Sequence, residues 1–490
     1  MRERIEPAGE ARRFGPGVGF NWFDYLGMGG SYAHPPEYYP LTDACYPPLE
    51  DQASWELVLG ELDRLRPGFI RFGLPPDPHV DGRGRIVTDT VHLRRLDLVA
   101  RWAASRGCTI LLDTFLLPTR HELELPPGAR LPWDGGMFQL GARDNRAYAR
   151  EFVAPLLRHV CVERGLEAVR FFNPVNEPMA YGVYQMPEGG PDTYVHYVGM
   201  YREMREALDA AGLSRERLGL VGCDANEPEG WPVLEMTARG VDIDPFVDAY
   251  SIHYYRLSFD YLTGNPANRE VATTIRDAVD KHTAKIARYC RARGKPLWAP
   301  EIGTFHYGWR FGDPAGPTTL EATLTVAEAL LRAANAGVDA FAFWCFMNPN
   351  TIDGHWRIVG IEDGRLVRAA YPCATYGLLS RLVRPGSLVQ PLASRPEADR
   401  RAHLHATAFE APSGERSLLL VNDHPAEQAE AWLSLPAGWG ELPSGCRRVG
   451  RDAFAEPAAV RVDRVGDEAR VAVPPISLLA FHDAALDAPE

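Results

Sequence analysis

Glu177 and Glu301 are the residues around which a chemistry can be built. Glu177 ends the stretch Val169-Arg170-Phe171-Phe172-Asn173-Pro174-Val175-Asn176-Glu177-Pro178, which starts as an apolar strand and finishes on a carboxylate. Glu301 ends a second run of the same kind, Trp298-Ala299-Pro300-Glu301-Ile302-Gly303. The tripeptide Asn-Glu-Pro decides nothing alone, because Asn226-Glu227-Pro228 repeats it. Two carboxyl groups facing one space can cleave a glycosidic bond. One protonates the leaving oxygen, and the other attacks the anomeric carbon or activates water. Arg71, Asp113, His253, Tyr255 and Trp344 close further apolar runs. An Arg beside a carboxylate keeps it ionised. A Trp offers an apolar platform to the C–H face of a pyranose.

Such groups must be carried to one rim. From residue 17 to about 383, short apolar runs alternate with longer segments of helical period. The strand candidates are Gly17–Trp22, Phe69–Phe72, Thr109–Thr114, Val169–Val175, Leu218–Cys223, Ala249–His253, Leu297–Ala299 and Ala340–Cys345. In the helical segment Asp51–Leu65, the residues Trp55, Val58, Leu59, Leu62 and Leu65 share one face. Gly107, Gly212, Gly294 and Gly337 follow helices as C-terminal caps do. Eight repeats of strand and helix are the count of a (β/α)8 barrel, whose active residues sit at the C-terminal strand ends. Gly15-Pro16-Gly17-Val18-Gly19 starts the first strand instead of following it, so it fails the context of a dinucleotide site. After Arg384-Pro385-Gly386 the pattern changes to short alternating runs between turns. The fold expected is α/β: a (β/α)8 TIM barrel over residues 1–383 and a small antiparallel β-sandwich over 384–490.

The bulk properties narrow the partners. The 490-residue chain is 46% hydrophobic and 24% charged, ordinary for a soluble globular protein, and its net charge of −13 argues against nucleic acid. No apolar run is long enough to span a membrane. The opening MRERIEPAGEARRFGPG lacks an apolar h-region, so a cytoplasmic location is expected. None of the eight Cys form a C-x-x-C pair, which suits buried thiols in a reducing compartment. No barrel strand carries His-x-His, and neither a metal nor another cofactor is expected.

By strand order, Glu177 ends the fourth strand and Glu301 the seventh, whereas Glu227 ends the fifth. This pair, with Phe69-Ile70-Arg71-Phe72-Gly73 on the second strand, His253-Tyr254-Tyr255 on the sixth and Trp344 on the eighth, resembles glycoside hydrolase clan A. The resemblance covers roughly three quarters of the chain and leaves families 5, 30 and 39 open. It implies a retaining O-glycosyl hydrolase, with Glu177 as acid/base and Glu301 as nucleophile. Arg71 and Tyr255 would then support Glu301, Asn176 would hold the sugar 2-OH, and Trp344 would floor the subsite. The protonated acid requires a raised pKa for Glu177. His253, Asp113, Asn21, Trp22, Asp224, His306 and Trp309 are further candidates for substrate contact, Asp24 stands at the end of the first strand, and Glu227 is assigned to a helix start. Aromatic loops over residues 23–40 and 181–185, with Trp133 in a third, would wall a pocket. They favour exo action on small β-linked (or equivalent α-L) oligosaccharides or glycosides. Endo-glycanase or transglycosidase action with the same two Glu stays open. The non-enzyme alternative is a carbohydrate-binding protein on an inactive barrel. An oligomer is compatible with the sequence.

Overall fold

The computed structural model describes residues 1–23, 46–74, 79–81, 84–114, 142, 144–178, 193–225, 228–255, 266–303, 318–347, 357–397 and 402–486. The barrel closes through eight parallel strands. They are β1 (Gly17–Phe23), β2 (Phe69–Gly73), β3 (Thr109–Asp113), β4 (Val169–Asn173), β5 (Gly219–Ala225), β6 (Ala249–Tyr254), β7 (Leu297–Ile302) and β8 (Ala340–Phe343). All eight expected strands are present. A strand shows alternate residues to opposite faces. Phe69, Leu111, Phe171, Val221, Ala249, Trp298 and Ala340 therefore pack as an apolar layer inside the barrel. Trp298 meets Phe171 and Phe69 edge-on, with ring centroids 4.6 and 5.6 Å away. Two residues further along, Arg71, Asp113 and Asn173 rise into the next layer on the same face. Gly19 is needed for closure, since a Cβ there would lie 1.6 Å from the Phe69 carbonyl oxygen.

Helices cover the outside. Gln52–Leu65 starts under Asp51, whose side chain accepts from the Ser54 N–H, and Val91–Arg106 starts under Thr90. Gly107 and Gly337 end their helices with φ of +66° and +119°, conformations that favour glycine. Val58, Leu62 and Leu65 have no exposure, and each buried side chain contributes about 1.5–3 kcal/mol. Trp22 belongs to this outer layer. It is 1% exposed and stacks on Tyr46 at 4.9 Å, Phe346 at 5.5 Å and Trp55 at 6.1 Å. Its expected substrate contact is therefore corrected. Asn21 faces the barrel interior, so its neighbour Trp22 faces the helices.

The second domain is one continuous curled sheet, from Ala453–Pro457 at one edge to Val462–Val465 at the other. It is mixed where an antiparallel sandwich was expected. The N-terminal strand Arg2–Pro7 lies in its middle, antiparallel to Leu388–Pro396 and parallel to Ala429–Ser434. Arg12–Arg13 pairs with Leu388–Val389. Arg2–Pro7 and Arg12–Arg13 thus belong to this sheet, which corrects their placement in the barrel. Charge hid the strand: in Arg-Glu-Arg-Ile-Glu-Pro the one aliphatic side chain is Ile5, which has no exposure. Glu3 is also buried. It accepts from the His403 N–H at 2.8 Å, the Leu404 N–H at 3.2 Å and the Ser394 hydroxyl at 2.5 Å.

Helix Leu320–Ala336 joins the two domains. Its Asn335 donates to the carbonyls of Leu392 and Ala406, and Leu331 accepts from Thr407. His405 Nε2 lies 3.4 Å from Glu328 and 3.1 Å from Asp423. Arg332 sits 3.0 Å from the same Glu328 oxygen, so ion pairing accounts for this acid and histidine cluster. Among the described residues, no helix is long and apolar enough to cross a membrane.

Candidate active site

Strand register builds the site. Asn21 stands beside Arg71, Gly73 beside Asp113, Asp113 beside Asn173, and His253 beside Glu301. Two irregularities finish the alignment. On β7, Trp298 to Glu301 spans three residues where β6 spans two, from Ser251 to His253. On β5, Gly222 to Ala225 spans three against Tyr250 to Ile252. An extra residue re-aims the side chains beyond it. Trp298 and Val221 face the interior, so simple alternation would turn Glu301 and Asp224 outward. The bulges bring both inside.

Glu177 arrives by a different route. The carbonyl of Pro174 accepts from the Thr114 hydroxyl at 2.8 Å and the Tyr148 hydroxyl at 3.3 Å, which anchors the turn after β4. Glu177 itself has φ +40°, a left-handed conformation that costs a non-glycine residue about 1–3 kcal/mol and persists where surroundings enforce it. Its side chain is 14% exposed.

Arg71 is the hub. Its Nη1 donates to Glu301 Oε2 at 2.5 Å and to Asn21 Oδ1 at 3.2 Å. Its Nη2 donates to Asp113 Oδ2 at 2.5 Å, Asn176 Oδ1 at 2.5 Å and Asp224 Oδ2 at 2.9 Å. Asn21 Nδ2 ties the strand ends, donating to the Pro300 carbonyl at 2.9 Å and the Ala342 carbonyl at 3.1 Å. Burial opposes the Arg71 charge, yet Asp113, Asp224 and Glu301 outweigh it and raise its pKa.

His253 is the second cation. Its Nδ1 lies 2.7 Å from Glu177 Oε1 and 3.6 Å from Glu301 Oε2. Its Nε2 lies 3.0 Å from Asp224 Oδ1, an ion-pair distance without hydrogen-bond alignment. Burial pulls its pKa down, but Asp224, Glu301 and the bond to Glu177 carry it well above the ordinary histidine range. The ring is an imidazolium held among three carboxyl groups. Asp224 is shifted the other way: burial raises its pKa, and His253 and Arg71 bring it below the usual range.

Glu301 is 5% exposed. Burial raises its pKa, with Glu177 adding to the rise, while His253, Arg71 and a hydrogen bond from the Tyr255 hydroxyl oppose it. Tyr255 and Trp344 flank Gly303, where a Cβ would come 2.9 Å from Tyr255 Cε1 and 3.5 Å from Trp344 Cβ. Both are half-buried, so they can face a ligand. The Trp344–Cys345 peptide bond is cis.

The predicted residues thus divide into two groups. Glu177, Glu301, Tyr255 and Trp344 form a partly accessible face, with Asn176 just beneath at 3% exposure. Asn21, Arg71, Asp113, Asp224 and His253 are 0–2% exposed and spend polar atoms on one another, so they support the face from below. Asp24, Trp133, Glu227, His306, Trp309 and the three aromatic loops lie outside the described residues, apart from Phe23 at the end of β1. Asn173 was not singled out from the sequence. It donates from Nδ2 to both Asp113 Oδ2 and Asp224 Oδ2 at 2.8 Å, and its signal was a polar residue at an inward position of an apolar strand.

No family model matches the sequence, and neither does any curated protein. Solved structures do match. The catalytic domain of a family 30 xylanase C from Talaromyces cellulolyticus aligns with TM-score 0.62 at 12% identity, covering 99% of this chain and 100% of that one. A family 51 α-L-arabinofuranosidase from Bifidobacterium longum gives 0.60 at 15% identity, covering 98% and 99%. An endo-β1,6-glucanase gives 0.58 at 12% identity, covering 98% and 94%. Over its whole length, barrel and β-domain together, the chain has the fold of clan A glycoside hydrolases of the family 30 and family 51 kind.

Proposed function

We propose that the protein is a retaining glycoside hydrolase, exo-acting on small β-linked or equivalent α-L substrates, with Glu177 as acid/base and Glu301 as nucleophile. One observation supports retention of configuration. A Glu177 oxygen, a Glu301 oxygen and a His253 ring nitrogen all lie within 4.8 Å of one another. Retaining enzymes hold their carboxyl groups about 5–5.5 Å apart, and inverting ones leave about 6.5–9.5 Å for a water.

Glu301 attacks the anomeric carbon as a carboxylate. The bond to the leaving group breaks with its electron pair going to oxygen, which takes the proton of Glu177. The sugar is now esterified to Glu301, and Glu177 is ionised. Glu177 then draws a proton from water as the water oxygen bonds to the anomeric carbon. The ester bond breaks with its pair returning to Glu301, and the configuration is retained. Burial leaves the Glu301 pKa above its ordinary value, and His253 and Arg71 limit that rise and so favour the carboxylate that the attack needs. Tyr255 steadies the oxygen to which it donates. Asn176 Oδ1 is engaged by Arg71, which leaves its amide hydrogens for the sugar 2-OH.

Support for exo action is the aromatic loop sequence, and support for a small β-linked substrate is the clan resemblance. A panel of chromogenic glycosides followed by proton NMR of the first product tests the reading. The expected product keeps the anomeric configuration, and an oligosaccharide is shortened by one unit at a time. Carbohydrate binding without turnover of any sugar would refute it.

A further inference from the structure

We propose that Asn173 is a positioning residue whose amide clamps Asp113 and Asp224 and thereby fixes the Arg71 guanidinium against Glu301. The proposal rests on the double-displacement reading, because it concerns how the nucleophile is kept ionised.

Asn173 ends β4 and has no exposure. Its nitrogen carries two hydrogens and lies 2.8 Å from Asp113 Oδ2 and 2.8 Å from Asp224 Oδ2. The same two oxygens also share Arg71 Nη2, at 2.5 and 2.9 Å. Two carboxylates from β3 and β5 therefore converge on one guanidinium nitrogen and one amide nitrogen. Arg71 must also serve Glu301, so its positive charge is divided among three acids, and His253 is the second cation beside two of them, Asp224 and Glu301. Like charges this near repel strongly in a dry interior. A terminal amide is the neutral group that gives one hydrogen to each of two acceptors; Ser would give one and Asp none when ionised. The opposite amide orientation would press Oδ1 against both carboxylates, so chemistry fixes the nitrogen's position. Asn173 Oδ1 has no hydrogen-bond partner among the described residues. The side chain is thus oriented by its two donations.

Glu301 is faced by Arg71 from β2, Glu177 from the turn after β4, His253 from β6, Tyr255 beyond β6 and Cys345 beyond β8. Asp113 and Asp224 act on it at one remove, through Arg71. Without the Asn173 donors, both aspartates draw more on Arg71, and the negative potential beneath Glu301 grows. Ionising Glu301 then becomes harder.

The test measures kcat/KM against pH on an aryl glycoside whose leaving group needs no protonation. For Asn173→Ala the acidic limb should move up by about one pH unit, with kcat falling more than KM rises. Asp113→Asn added to Asn173→Ala removes one of the clamped charges and should bring the limb back toward wild type. Asn173→Ser, which keeps one donor, should fall between, and it carries the test if Asn173→Ala does not fold. A limb that stays in place in Asn173→Ala or Asn173→Ser, or stays high in the double variant, overturns the proposal. A wild type without glycosidase turnover would sink the functional reading but not the clamp, which melting also reads. The Tm loss in Asn173→Ala should be full at neutral pH and shrink only in strong acid, as the pH falls through the depressed pKa of Asp224, and Asp113→Asn should reverse it. A Tm loss that Asp113→Asn fails to reverse would overturn the clamp in that setting.

Discussion

Replacing His253 by Gln removes a buried cation while keeping a donor of similar reach. At 3.6 Å from Glu301 Oε2, the imidazolium charge is worth about 4–5 kcal/mol at an effective dielectric of about 20. Relaxation of the site reduces that figure, leaving an expected upward move of the acidic limb of kcat/KM by about one to three pH units. In the proposed mechanism Glu301 attacks only when ionised, so activity should be lost as pH falls through its pKa. A raised pKa moves that loss to higher pH. Glu177 also loses a charge-assisted hydrogen bond of 2.7 Å. Such bonds are worth about 1.5–3 kcal/mol, so kcat/KM at the optimum should drop about 10–150-fold on substrates that need an acid. Stability has its own sign. The folded pKa of His253 lies above its unfolded value of about 6.5, so its contribution is complete below that value and is lost as pH rises through the folded pKa. The Tm gap between wild type and His253→Gln should be widest near pH 6 and narrow on the alkaline side. Kinetic profiles and melts across pH check both points. An acidic limb that stays put or moves down, or a Tm gap that widens with pH, would refute the reasoning.

Other substitutions separate the roles. Glu177→Ala should lose most turnover on a poor leaving group, yet keep glycosylation on an activated one and yield a β-glycosyl azide with added azide. Glu227→Ala should leave kcat nearly intact, and kinetics showing that it alone abolishes activity would contradict the strand order. Tyr255→Phe removes one hydrogen bond to a buried charged oxygen, and kcat/KM should fall about 10–100-fold. Glu3→Ala leaves the N–H groups of His403 and Leu404 without their carboxylate. Calorimetry should show a loss of about 2–4 kcal/mol, with kcat unchanged until the protein begins to melt.

The barrel was legible because its strands are apolar, short and separated by amphipathic helices, and strand order separated Glu177 from Glu227. What hid from the sequence has physical causes. The bulges on β5 and β7 leave no mark in residue type, yet they aim Asp224 and Glu301 inward. Without them simple alternation would turn both acids away from the interior. Trp22 was misassigned because residue type outweighed alternation: one step from Asn21, it had to face the helices. Asp113, Asp224 and His253 read as substrate ligands since polar residues at strand ends are free to face solvent. Arg71 instead draws the two acids into a closed network, and His253 bridges Asp224 to the two Glu. The N-terminal strand escaped notice because Arg2, Glu3, Arg4 and Glu6 surround Ile5, and a central strand need bury little when its neighbours supply the core.

The central claim is that Glu301 forms a covalent bond to sugar, opposite Glu177. Mass spectrometry of the enzyme treated with a 2-deoxy-2-fluoro glycoside bearing an activated leaving group tests it directly, with the sugar chosen from the panel. The account predicts a stoichiometric mass increase, located by peptide mapping to Glu301, that disappears on reactivation and is absent in Glu301→Ala. Turnover of the parent glycoside with inverted product and no adduct, or an adduct on another carboxylate, would contradict it.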